Sequence, residues 1–185
     1  MGVGGISSPR VKKITRAFKI AKNLDDVLVQ NSEKSGITPS SFINNLLIKY
    51  FDWWQFAEKK SSFMVLDKRL IMALIEEVDE EKSVDIARSV ALMMSREFMM
   101  FRFGKVDRDS VLEFLELLGD HMNWGEITPK SESGNLVVMV KHELGAKWSL
   151  FLSEFISSLF SSFLAMKTTF EFSTFGCTIT ATPQG

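Results

Sequence analysis

Seven residues near the start constrain this chain most: Ile14 to Ile20, reading Ile-Thr-Arg-Ala-Phe-Lys-Ile. Ile14, Arg16, Phe18 and Ile20 fall on one face of an extended backbone. Lys13, Thr15, Ala17 and Lys19 fall on the other. A period of two with β-branched and aromatic residues is the spacing of a strand with one buried face. A lone strand of this length is not stable, so it needs a partner. The neighbouring sequence offers none, which predicts pairing with a second copy of the same segment.

Charge singles out the same region. Residues 1–22 hold Arg10, Lys12, Lys13, Arg16, Lys19 and Lys22 and no acidic side chain. The remainder carries 16 basic against 23 acidic side chains, a net −7, although the whole chain sums to −1. A basic arm on an acidic body points to a polyanion partner for the arm alone. Residues 1–9 are rich in glycine and serine and are expected to be loose.

Two helices are predicted next. Asn23 is placed to cap the first, with Asp25 and Asp26 favourable in its first turn. Leu24, Val27, Leu28 and Asn31 would form its inner face. Lys34-Ser35-Gly36 ends it, with Gly36 suited to a left-handed closing position. Thr38-Pro39 opens the second helix, a capping hydroxyl followed by proline at the first helical position. Phe42, Ile43, Leu46, Leu47, Tyr50 and Phe51 then make a wide apolar stripe. So wide a stripe this early in the chain needs a large partner surface, again a dimer.

A basic strand, a helix, a Gly-Ile-Thr-x-Ser turn and a second apolar helix resemble the ribbon-helix-helix repressors, which include the Arc and methionine repressors. The resemblance covers roughly residues 12–51. Ala21 stands where that family usually has proline, and Asn31 where it usually has an apolar residue. The resemblance implies a homodimer, or a higher oligomer, that binds double-stranded DNA. Two antiparallel strands would enter the major groove as a ribbon. Lys19 would donate to guanine, Thr15 would reach a base or phosphate, and Ala17 would touch a thymine methyl. Arg16 would reach the backbone if the strand twists, and Lys12 and Lys13 would track phosphates. The start of the second helix, around Thr38, Ser40 and Ser41, would clamp a phosphate.

Beyond a boundary near Ser61 the period changes twice. Adjacent Trp53 and Trp54 cannot both face one helical stripe, so one is expected to pack on the second domain. Residues 64–122 read as three helices. Their apolar positions are Leu70, Leu74, Ile75 and Val78, then Ile86, Val90, Met93, Met94, Phe98 and Phe101, then Val111, Phe114, Leu115 and Leu118. Asp107 or Asp109 would cap the third. The methionines clustered here are expected to fill core. A hairpin over residues 125–142, a helix over 146–165 and a second hairpin over 167–182 follow. The expected class is therefore α+β. A ribbon-helix-helix module over residues 10–60 precedes a domain over 63–182, with three helices and then a β-β-α-β-β antiparallel sheet.

Enzyme chemistry finds no support in the sequence. There is no glycine-rich phosphate loop, nucleophile elbow or zinc-protease motif. No cofactor is implied. His121, His142 and Cys177 are the only histidine and cysteine candidates for a metal, and they lack short metal-site spacing. The single Cys177, with no secretory signal and no apolar run of membrane length, points to a cytoplasmic protein. The expected function is a homodimeric, sequence-specific transcriptional regulator, with an unknown small-molecule or protein effector for the second domain. Two alternatives stand beside it. One is an antitoxin-like interaction protein. The other is a small-ligand-binding protein that uses the module to dimerise.

Overall fold

The structure, a computed structural model, describes residues 14–60, 66–132 and 134–184. Two compact units meet in sequence between Leu46 and Leu47. The boundary expected near Ser61 lies outside the described residues.

In the first unit, residues 14–20 carry no regular structure and are exposed throughout. The two α-helices α1 (Lys22–Lys34) and α2 (Pro39–Lys49) follow, with the division between the units falling inside α2. Asn23 does not cap α1. The cap is Ala21, at φ −67° and ψ 142°, and its side chain makes no capping hydrogen bond. Gly36 closes α1 at φ +66°. The N–H of Ile37 donates to the Ser32 carbonyl at 3.0 Å, and that of Gly36 to the Glu33 carbonyl at 3.0 Å. This pair of bonds satisfies the last carbonyls of the helix and requires a left-handed residue between them. Asn31 donates from Nδ2 to the Val27 carbonyl at 2.7 Å, so a polar residue sits on the helix without an unpaired amide.

The second unit opens with a π-helical stretch, Tyr50–Trp54, running into α3 (Gln55–Lys60). Three helices follow: α4 (Lys68–Glu77), α5 (Glu80–Phe103) and α6 (Arg108–Met122). Then come β1 (Glu126–Glu132), β2 (Asn135–Lys141), α7 (Ala146–Leu164), β3 (Met166–Ser173) and β4 (Gly176–Pro183). The four strands form one antiparallel sheet in the order β1-β2-β4-β3. The α+β class and the β-β-α-β-β order therefore hold.

Local chemistry explains the helix ends. Asp79 and Asp107 each accept a backbone N–H at the start of α5 and α6. At α6, Ser110 donates its own N–H to Asp107 and accepts the Asp107 N–H, a reciprocal box. Lys147, in the first turn of α7, donates to the carbonyls of Glu76 and Val78 at 2.5 and 2.9 Å. It thereby caps the end of α4 and ties that helix to α7.

The core forms between the sheet and α7, and between α7 and α5. Alternation on β2 buries Leu136, Val138 and Val140, and on β4 it buries Cys177, Ile179 and Ala181. From α7 come Leu152, Phe155, Ile156, Leu159 and Phe160, all fully buried. Each large apolar side chain so placed stabilises the unit by about 1.5–3 kcal/mol before entropy is counted.

Two helix faces differ from the sequence reading. On α4, Leu70 and Leu74 are exposed, while Ile71, Ile75 and Val78 are half-buried. On α5, Ile86 and Met93 are exposed, and the buried row is Ser83, Ala87, Ala91, Ser95 and Phe98. Small side chains let α5 approach α7 closely, and that outweighs the size of Ile86 and Met93. Of the methionines assigned to core, Met99 is buried, but Met72, Met93 and Met100 are exposed.

Candidate nucleic-acid interface

Residues 14–20 precede α1 as an extended segment, and every side chain along it is exposed. Thr15, Arg16, Ala17 and Lys19 are therefore all available to a partner, as are the apolar Ile14, Phe18 and Ile20. Arg16 is no more buried than the others. The strand face expected to be inward has nothing over it among the described residues. Lys12 and Lys13 lie outside those residues.

The turn into α2 delivers the second cluster. Thr38 Oγ1 accepts the N–H of Ser41 at 3.1 Å and donates to Ser41 Oγ at 2.9 Å. The hydroxyl thus caps the helix, as its position before Pro39 predicts. This changes what the helix start can hold. The Ser41 N–H is already taken and Pro39 has none, so Ser40 supplies the open backbone donor of the first turn. The exposed hydroxyls of Ser40 and Ser41 flank it. One N–H with two hydroxyls can hold a single phosphate oxygen but cannot wrap an anion.

Around this cluster the first unit keeps its apolar side chains in solvent. Ile14 is 68% exposed, Phe18 62% and Leu24 59%, and Val27 is exposed beside them. Leu28, Asn31, Phe42 and Ile43 are half-buried, and Ser32 is the only buried residue among those described in the unit.

The second unit contains one pair that resembles hydrolase chemistry. Ser149 Oγ lies 2.8 Å from His142 Nε2. However, the N–H of Leu144 donates to His142 Nδ1 at 3.1 Å, so Nδ1 is the acceptor nitrogen and Nε2 carries the proton. The imidazole then donates to the serine and cannot withdraw its proton. Ser149 is also fully buried. Burial holds His142 below its ordinary value. Burial likewise raises the Cys177 thiol, against an opposing hydrogen bond with Ser153. A neutral, buried thiol is a poor nucleophile. Among the described residues, no three His, Cys, Asp or Glu side chains are grouped to hold a metal ion. No helix there is long and apolar enough to cross a membrane.

Comparison of the chain with protein-family models, with curated proteins and with solved structures finds no match.

Proposed function

We propose that this chain is a homodimeric, sequence-specific DNA-binding regulator whose residues 14–20 pair with those of a second copy to read the major groove. The observation that carries the reading is the uncovered apolar surface of the first unit. Ile14, Phe18, Leu24 and Val27 stand in water beside a backbone segment whose N–H and C=O groups have no ladder partner. A second copy answers both needs. Antiparallel pairing supplies the missing ladder and buries Ile14, Phe18 and Ile20 against α1 and α2 of both chains. The first unit's exposed helix faces then become a shared core.

Pairing leaves Thr15, Ala17 and Lys19 on the outer face of the ribbon, each present twice. A two-stranded ribbon fits the major groove, where Lys19 can donate to guanine O6 or N7 and Ala17 can meet a thymine methyl. Ser40 and Ser41 hold a backbone phosphate and fix the register without reading sequence. Arg16 and the basic residues before it add charge that draws the arm to DNA. The α+β unit is left for regulation or further association.

The test is selection of a preferred duplex from a random pool by the full chain, followed by binding of the selected and scrambled duplexes. Lys19→Ala should remove most of the preference, because each base contact is worth about 1–3 kcal/mol and two are lost. Sedimentation should show the same dimer. An unchanged preference in that variant overturns the reading. Binding of the parent should also fall steeply with salt, in proportion to the phosphates contacted.

A further inference from the structure

The chain has four tryptophans, from three separate stretches of sequence, and all four line one cavity of about 540 Å³ in the second unit. Trp53 and Trp54 come from the π-helical stretch, Trp124 from the loop after α6, and Trp148 from the first turn of α7. A π-helical turn bonds from i to i+5 and is wider than an α-turn. Both adjacent tryptophans reach the same cavity wall, which an ordinary helical stripe does not predict. Trp53 is buried against Phe98 at 4.8 Å between ring centres, while Trp54 is 40% exposed. Also lining the cavity, Trp148 and Phe151 stack within 7° of parallel at 4.9 Å, and Trp124 meets Trp148 edge-on at 5.4 Å.

The polar part of the lining is small and one-sided. It consists of Lys68, His121 and Asn123. No acidic side chain lines the cavity among the described residues, although the body of the protein is strongly acidic. Lys68 is exposed and makes no ion pair among the described residues. His121 lines the cavity with its ring, while its Nδ1 is sealed from solvent and has no hydrogen-bond partner among the described residues. Burial also keeps that ring neutral near pH 7, against the pull of Asp52 and Asp120. A cavity of this size, mostly aromatic with a few convergent polar groups, has the make-up of a small-molecule site.

We infer that the cavity walled by Trp53, Trp54, Trp124, Trp148 and Phe151 binds a planar aromatic small molecule carrying one anionic group, with Lys68 meeting the charge. The flat, edge-on and stacked rings accept a planar ligand by offset or edge-to-face contact. The cationic, acid-free lining selects a ligand of negative charge. This site stands on the second unit alone and is independent of any nucleic-acid contact by the first.

The test uses the full chain and two probes that share an aromatic body: anilinonaphthalene sulfonate, which is anionic, and phenylnaphthylamine, which is uncharged. Because every tryptophan lines the cavity, quenching of their emission reports binding there. Both probes should quench saturably at one per chain, the sulfonate about tenfold more tightly, as expected of a hydrogen bond to a charged group. Lys68→Met, at an exposed position, should erase that preference and leave the uncharged probe unaffected. Ala57→Leu, which fills the cavity from α3, should abolish binding of both, with an unchanged far-ultraviolet spectrum showing that the fold is intact. The proposal is overturned if neither probe quenches saturably. It is also overturned if the sulfonate keeps its preference in Lys68→Met, or if both probes bind the folded Ala57→Leu variant as tightly as the parent.

Discussion

Phe18 and Phe98 carry the same side chain into opposite surroundings. Phe98 is fully buried, with the rings of Trp53, Phe56 and Phe114 all within 5.2 Å between ring centres. Phe18 is 62% exposed on a segment with no regular structure. The contrast extends to the units around them. The second unit closes a sheet, a covering helix and four further helices over a continuous core. The first has two helices and one extended segment, too few layers to cover an apolar face. One unit satisfies its own hydrophobic surface, and the other presents it outward. Such a surface, beside backbone groups lacking a ladder, is what the proposed pairing with a second copy would cover.

The largest effects should separate the units directly. Phe98→Ala removes a ring from a closed core and should cost about 3–5 kcal/mol, read as a lower melting temperature of the tryptophan signal. All four tryptophans lie in the second unit, so that signal is blind to the first. Phe18→Ala should leave the same melt within about 0.5 kcal/mol, as for an exposed substitution. It should instead weaken self-association, measured by sedimentation over a dilution series. A tryptophan melt equally damaged by both substitutions would break the contrast.

Gly176→Ala probes how tightly the second unit is closed. An added Cβ would lie 2.2 Å from the Val140 carbonyl oxygen, on the neighbouring central strand. Neither backbone can yield without disturbing the ladder, so the loss should be about 1–3 kcal/mol by the same melt. The equivalent change at Gly134 meets no atom within 4 Å. Its φ of +88° makes any cost one of backbone conformation and not of packing.

The histidine contribution to acid sensitivity should fall on the second unit, because both histidines lie in it. Burial holds His121 and His142 below their ordinary value of 6.5. As pH falls through that value, the unfolded chain takes up protons that the folded chain still refuses. Stability therefore rises with pH across this window and is lost on acidification, until the folded-state values are also passed. Denaturant melts between roughly pH 5 and 7.5 should show the slope. His142→Gln should make the slope shallower. A slope of the opposite sign would mean that these rings gain an acidic partner on folding.

Much of the second unit was legible because its signals are local. Strand alternation in Leu136 to Val140 and the apolar stripe from Trp148 to Phe163 each lie within one element, and Asp107 announces its own helix. The α5 face was misread because Ala87 and Ala91 pack by being small, while Ile86 and Met93 attract attention by being large. The tryptophan cavity was not legible at all, since no spacing encodes the meeting of residues 53, 54, 124 and 148. The strand expected at residues 14–20 is not formed: its alternation is present in the sequence, but the segment carries no regular structure, and alternation alone supplies no ladder partner.

The smallest effect concerns Ala21, where the ribbon-helix-helix pattern usually has proline. At φ −67° and ψ 142° this alanine already adopts the geometry that a proline ring would fix. The preceding Ile20 belongs to the extended segment, which is also what a following proline prefers. Ala21→Pro should therefore leave the folded backbone unstrained while removing freedom from the unfolded chain. The expected gain is about 0.4–1 kcal/mol. It should be confined to the first unit and so be invisible to the tryptophans. Amide hydrogen exchange along α1 is the measurement, with slower exchange in Leu24 to Leu28 as the expected result. Faster exchange there would mean that the segment before α1 must move away from this geometry when its partner arrives. In that case the exposed face of Phe18 is not held in readiness for pairing but is rebuilt by it.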